Sequence, residues 1–250
     1  LALLALWTRR IGGPLAATVA VAAYALDPNL IGHGGVVKED VLMSLLLLAA
    51  SWATWRIGLR ATHANVVTLG VLVGLGLCTK HSAVVTLPLA ALLLLLRAVL
   101  PAPWTPEAWA VPWAGTLRHK GKKVIAAAAI TLAVALTAWG TLWVGYGLRY
   151  SPTPDPALEL QSRGSGLQAH EGTASVSVVV TAILWAEEAH LVPQHWGWGI
   201  REMTRIRSRW GYLRGEISRH GWWYYFLLAF LVKVPLATLL AIGLASTQTR

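Results

Sequence analysis

Two acids, Glu39 and Asp40, stand beside Lys38 in the run IGHGGVVKEDVLM, directly ahead of the apolar stretch VLMSLLLLAASWA. A carboxylate against an apolar interior is costly, so the pair needs a reason. One reason is local: an acid at a helix N-terminus accepts backbone N–H bonds and meets the positive end of the helix dipole. A single acid would suffice for that. The other reason is chemical. Paired carboxylates serve as a general base, or hold a hard divalent cation such as Mg2+ or Mn2+ that would offset charge on a phosphate leaving group. His33 lies in the same stretch, either as a hydrogen-bonded loop residue or as a base.

Cations of unusual placement come next. Lys80 interrupts GLGLCTKHSAVVTLPLA. It either snorkels to the membrane interface or contacts a phosphate, with Thr79, His81 and Ser82 adding donors. Lys233 lies within YYFLLAFLVKVPLATLL, roughly 10 Å into an apolar run at about 1.5 Å per residue. A charge at mid-span costs about 2.5–3.5 kcal/mol on insertion scales, so Lys233 is expected to face a polar cavity and an anion. Pro235 should loosen the helix there. Ahead of it, WGYLRGEISRHGWWYYF gathers Arg214, Glu216, Arg219 and His220 before a belt of Trp and Tyr. Arg binds phosphate through several donors at once. The run EEAHLVPQH, with Glu187, Glu188, His190 and His195, invites a zinc reading, but its spacing fits no zinc motif. The Arg run in REMTRIRSRW reads as a headgroup-facing surface.

The elements that must position these groups are membrane spans. Hydrophobic residues make up 56% of the 250, mean hydropathy is +0.55, and only 13% are charged, against about 25% in a soluble domain. Apolar runs of span length, about 17–25 residues with shorter ones marginal, occupy 13–27, 41–59, 64–79, 82–100, 124–146 and 226–247, and 1–7 reads as the tail of another. The run 64–79 is marginal and could instead form a hairpin with 82–100. Alternate connections hold Arg9 and Arg10, Arg56 and Arg60, then Arg97, Arg118, Lys120, Lys122 and Lys123, and finally Arg250, with Glu107 as their one acid. The positive-inside rule assigns these to the cytoplasm. Glu39, Asp40, Lys80 and the long loop 147–225 then face outward. The net charge of +10 is therefore a topology signal and not a nucleic-acid footprint. One cysteine, Cys78, permits no disulfide within the chain. The expected fold is an all-α polytopic membrane protein: a helix bundle over 1–146, an extracytoplasmic loop region over 147–225 and a C-terminal transmembrane helix over 226–250. The chain opens midway through an apolar run without Met, which reads as a fragment lacking N-terminal spans.

Three stretches, DPNLIGHGGVVKEDVLMSLLL, GLGLCTKHSAVVTLPLA and GEISRHGWWYYFLLAFLVKVPL, together resemble the membrane glycosyltransferases of GT-C fold. The likeness is to bacterial relatives of dolichyl-phosphate-mannose–protein mannosyltransferases. That family carries a P-x-x-x-A-H-x-x-x-V-T-T-D loop, a T-K pair closing a later span, and H-G-W-W-Y-Y-F followed by K-T-P. The counterparts here are Pro28, His33, Glu39 and Asp40; Thr79 and Lys80; and His220 to Phe226 with Lys233 and Pro235. This chain has KED for TTD, KVP for KTP, and Gly32 where Ala is usual. The resemblance implies a polyprenyl-phosphate sugar donor, transfer on the outer face of the bacterial cytoplasmic membrane, and a protein, lipid or glycan acceptor. It implies that Asp40, with Glu39 and His33, orients the acceptor or holds a cation. Lys80, Lys233, Arg214 and His220 would stabilise the departing lipid phosphate. The family's principal catalytic aspartate is expected N-terminal to these residues. Two other readings stay open: a transporter or flippase of a lipid-linked or anionic solute, and a non-catalytic family member.

Overall fold

The computed structural model describes residues 1–36, 38–106, 115–151, 153, 178–205, 211–218 and 221–247. Its helices are α1 (Ala2–Ala25), α2 (Pro28–Gly34), α3 (Asp40–Leu59), α4 (His63–Thr79), α5 (Thr86–Val99), α6 (Lys120–Gly145), α7 (Val178–Glu188), α8 (Gln194–Arg205), α9 (Tyr225–Lys233) and α10 (Leu236–Thr247). A 3-10 turn, His81–Val85, precedes α5, and strands β1 (Gly211–Leu213) and β2 (Glu216–Ser218) form one antiparallel hairpin. Three helical stretches are long and apolar enough to cross a membrane: Asp40–Leu59, His81–Val99 and Lys120–Gly145. Two bent pairs, α1 with α2 and α9 with α10, raise the number to five if each is one span, and α4 is a shorter apolar helix. The chain is thus a mostly helical protein with membrane-span helices, as its composition dictates. It divides into two compact units, Leu42–Arg205 and Leu1–Val41 with Ile206–Arg250.

In the unit Leu42–Arg205 small side chains fill the centre. Ala50 and Ala53 of α3, Ala90 and Ala98 of α5, and Ala126, Ala127 and Ala138 of α6 are buried with Val66, Leu69, Val73, Leu94 and Ile130. Larger apolar residues such as Leu45, Leu47, Leu92, Leu96, Leu132 and Leu136 point outward. Small residues inside and leucines outside is how helices pack in lipid, where close backbone approach replaces the hydrophobic effect as the driving force. The α4–α6 contact shows it directly. A methyl added to Gly70 would strike Thr137, one on Gly74 would strike Thr141, and one on Gly145 would strike Cys78. The contacts advance along both helices in the same direction, so α4 and α6 run parallel, and α5 returns antiparallel to them, packed against α6. Thr137 and Thr141 donate their hydroxyls to the carbonyls of Ala133 and Thr137, at 2.8 and 2.9 Å. That satisfies the polar atoms within α6 and leaves methyl groups to meet the glycines.

The two ends of this unit differ. At the end carrying the first turns of α4 and α6, basic side chains close helix C-termini. Arg97 donates from Nε to the Gly58 carbonyl at 2.8 Å and from its other nitrogens to Ala102 and Pro103. Lys123 is 2% exposed and donates to the carbonyls of Leu100 and Ala102. Cations there satisfy orphan carbonyls and oppose the negative ends of helix dipoles. The described residues of the connection between α5 and α6 fold onto the bundle. Trp104 is fully buried, donates to the Ile57 carbonyl at 2.8 Å, and bridges to Leu117.

In the other unit, α1 continues through the expected connection at Arg9–Arg10, but Gly13 breaks its helical geometry at φ 80° just before Pro14. A glycine followed by proline is a sufficient cause for such a kink. Where the sequence reads a single span over 226–247, two helices meet at 107° across Val234 and Pro235. Pro235 supplies no N–H to the preceding turn, and Val234 adopts the extended backbone that a residue before proline prefers.

Candidate functional site

The acidic motif is built by a cap and a dipole. Asp27 is the N-cap of α2: its Oδ1 accepts from the backbone N–H groups of Asn29 and Leu30 at 2.8 and 3.1 Å, with Pro28 in the first helical position. That orders the short helix carrying His33. Asp40 opens α3 in its first turn, where the dipole favours a carboxylate. The His33 Nδ1 stands 3.9 Å from Asp40 Oδ2, with the two side chains 53% and 36% exposed. This is ion-pair range and longer than a hydrogen bond, so it orients more than it stabilises. Glu39 is exposed beside it. Among the described residues no group of three or more His, Cys, Asp or Glu could hold a metal ion. Asp40 and Glu39 alone would give a cation two carboxylates and leave its remaining positions to water or a phosphate.

Lys233 is the last residue of α9, at the break rather than inside a continuous helix, and is exposed. Asn29 Nδ2 donates to its carbonyl oxygen at 2.8 Å. The segment that begins the acidic motif and the lysine-bearing break are therefore joined within one unit. Arg214 occupies the exposed tip of the β1–β2 hairpin. Both Arg214 and Gly215 have positive φ, 53° and 90°, as a two-residue type I′ turn requires. Among the described residues Arg214 makes no hydrogen bond or ion pair, so it is not drawn to Asp40 or Lys233. His220 and Arg219 lie outside the described residues.

Lys80 belongs to the other unit. It links α4 to the 3-10 turn in extended conformation, its N–H bonded to Gly76 O and its carbonyl accepting from Ala83, both at 2.9 Å. His81 turns inward against α8: a Cβ on Gly199 would collide with the imidazole, and the Trp196 ring lies 6.4 Å away. Trp196 Nε1 also donates to the Leu77 carbonyl at 3.2 Å, near the C-terminus of α4. The TKHS turn thus lies beneath α8, a relationship with no signature in the local sequence beyond glycine in WGWG.

Within EEAHLVPQH, Glu187 takes a structural role. Glu187 pairs with Arg201 at 3.0 Å, both side chains 10% exposed, and so fastens α7 to α8. The His190 ring is 4.0 Å from that of Tyr150, and the His195 ring 6.2 Å from that of Trp198. The zinc reading has no set of ligands here among the described residues. Trp139 and Trp143 of α6 both donate to the Leu191 carbonyl, at 2.6 and 3.2 Å, tying the α7–α8 link to the end of α6.

No protein-family model matches the chain, and neither a curated protein nor a solved structure does.

Proposed function

We propose that this chain belongs to a membrane glycosyltransferase that moves a sugar from a polyprenyl-phosphate donor to an acceptor hydroxyl on the extracytoplasmic face, in the manner of protein O-mannosyltransferases. The reading rests on the three motifs. The observation that carries it furthest is the Asn29–Lys233 hydrogen bond, which joins the first motif to the third within one unit, while His33 and Asp40 face each other at the head of α3. In the proposed step the acceptor hydroxyl gives its proton to a carboxylate as its oxygen bonds to the anomeric carbon. The bond from that carbon to the phosphate oxygen breaks, and its electron pair leaves on the lipid phosphate. Asp40, with Glu39 and His33, positions the acceptor or holds a divalent cation beside the phosphate. Lys80, in the other unit, is assigned to phosphate by its motif alone, and Lys233 stabilises the developing charge, where a low dielectric makes each contact count for more. Arg214 and His220 are assigned to the same anion through the motif alone.

The test uses the complete protein in detergent with radiolabelled polyprenyl-phosphate sugars, following label from lipid to acceptor or water. Label leaving the lipid with wild type but not with Asp40→Asn supports the reading. Intact binding with no release from any donor overturns it. One observation favours a second reading, a transporter of a lipid-linked or anionic solute: a helix broken beside a membrane-level lysine is how transporters build substrate sites. Movement of labelled lipid between leaflets with the sugar still attached would select it.

A further inference from the structure

A cavity of about 180 Å³ opens where α6 ends, lined by Tyr146, Arg149, Tyr150, Ser151 and His195. None of these residues is assigned above to transfer. The chain makes the cavity by reversing sharply. Gly147 and Leu148 take positive φ of 66° and 57°, and the Leu148 and Gly147 N–H groups return to the carbonyls of Trp143 and Val144 at 2.8 and 2.9 Å. This is the left-handed close of a helix C-terminus, held here by a leucine as well as a glycine. It sends Arg149 and Tyr150 back across the end of α6. Tyr150 is fixed on three sides: its hydroxyl donates to the Glu187 carbonyl at 2.8 Å, its own carbonyl accepts from Gln194 N–H at 3.0 Å, and its ring meets His190. Ser151 Oγ donates to the Thr153 carbonyl at 2.9 Å, and His195 enters from the first turn of α8.

Among the described residues the lining holds one formal cation, three hydroxyls, one imidazole and no acid. The Arg149 N–H bonds to the Tyr146 carbonyl at 3.3 Å, while its guanidinium makes no hydrogen bond or ion pair among the described residues. The Tyr146 phenol is a hydroxyl donor. The level is also informative. At about 1.5 Å per residue the 26 residues of α6 exceed a hydrocarbon core of about 30 Å. Trp139 and Trp143, both in the final turns, mark an interface belt. A span of that length would bring the mouth of the cavity to the level of lipid phosphates.

We propose that this cavity is a phosphate-binding site, gripped by Arg149 with donors from Tyr146 and His195. The phosphate is that of a membrane phospholipid headgroup or free phosphate, whose chemistry is shared. The proposal does not depend on the transfer reading. The experiment is native mass spectrometry of the full chain released from nanodiscs of mixed phosphatidylglycerol and phosphatidylcholine. Thermal unfolding with added inorganic phosphate runs in parallel. Arg149→Gln is the main variant and His195→Gln the second; both positions are exposed, so folding should survive. Wild type should retain phosphatidylglycerol about tenfold better than Arg149→Gln, the expected worth of one charge-assisted contact. Protection of wild type but not Arg149→Gln by inorganic phosphate alone would assign free phosphate. Protection by phosphatidylglycerol alone would assign the headgroup. Retention and protection equal in wild type and both variants would overturn the proposal.

Discussion

Asn29 donates its side-chain amide to the main-chain carbonyl of Lys233, 2.8 Å away across 204 residues of sequence. The acceptor is one of the last carbonyls of α9, a group the helix cannot satisfy because Pro235 ends its hydrogen-bond ladder. One amide therefore steadies the broken segment from outside it.

Replacing Asn29 by Ala should loosen that break. The stability loss is small, about 1 kcal/mol for one hydrogen bond, but transfer should fall alongside it, because the lysine loses its fixed position. Asn29→Asp, which keeps size but not the amide donor, should behave as Asn29→Ala does. Turnover in membranes, compared at equal protein levels, checks this; full activity in both variants would leave the bond a packing detail.

Asp40→Asn should cut turnover by at least about a hundredfold if the carboxylate handles a proton, and Lys233→Met by about 10²–10³ if its ammonium faces the leaving phosphate. Both should insert in membranes as wild type does. If metal supports Asp40, chelation should mimic Asp40→Asn in wild type and add nothing to the variant.

Gly70→Val and Gly74→Val should each destabilise the unit Leu42–Arg205 by about 1–3 kcal/mol through overpacking against α6. Gly140→Ala, with open space around its Cβ, should be neutral or stabilising, since alanine is the better helix former by about 1 kcal/mol. Thermal unfolding in one detergent ranks all three.

Gly199→Ala should force the His81 imidazole out of its seat and lower stability. The same change made in a His81→Ala background should cost much less, a coupling of at least about 1 kcal/mol. Additive effects would mean that the two residues do not meet.

The spans were legible wherever a helix carries its own boundary marks. Asp40, Thr79, Lys120 and Gly145 close or open apolar runs, and α3 to α6 fall within a few residues of the expected limits. The Pro235 break was legible in kind but not in degree, because proline shows where a ladder fails and not which way the chain then turns. Asp27–Pro28 is an N-cap signal that could have been read and was not. The Glu187–Arg201 pair, the seat of His81 on Gly199 and the Asn29 contact were beyond reach. Each depends on two segments meeting, and neither segment alone records its partner. The sequence grouping of Arg214 with the membrane-level lysines rested on shared sidedness, and the hairpin sets its side chain at an exposed tip.

The threonine–glycine contacts between α4 and α6 have one more result. Going along the pair, α4 offers Gly70, Gly74 and then Cys78, while α6 offers Thr137, Thr141 and then Gly145. The bulky partner changes helix at the last step. Sliding α6 by one turn in one direction would oppose Cys78 to Thr141 without room for either. Sliding it the other way would set Gly74 opposite Gly145 and leave a gap. Only one axial register fills the seam, so the pair resists piston motion. Lys80 and Tyr146 are thereby held at a common height by residues that take no part in any chemistry.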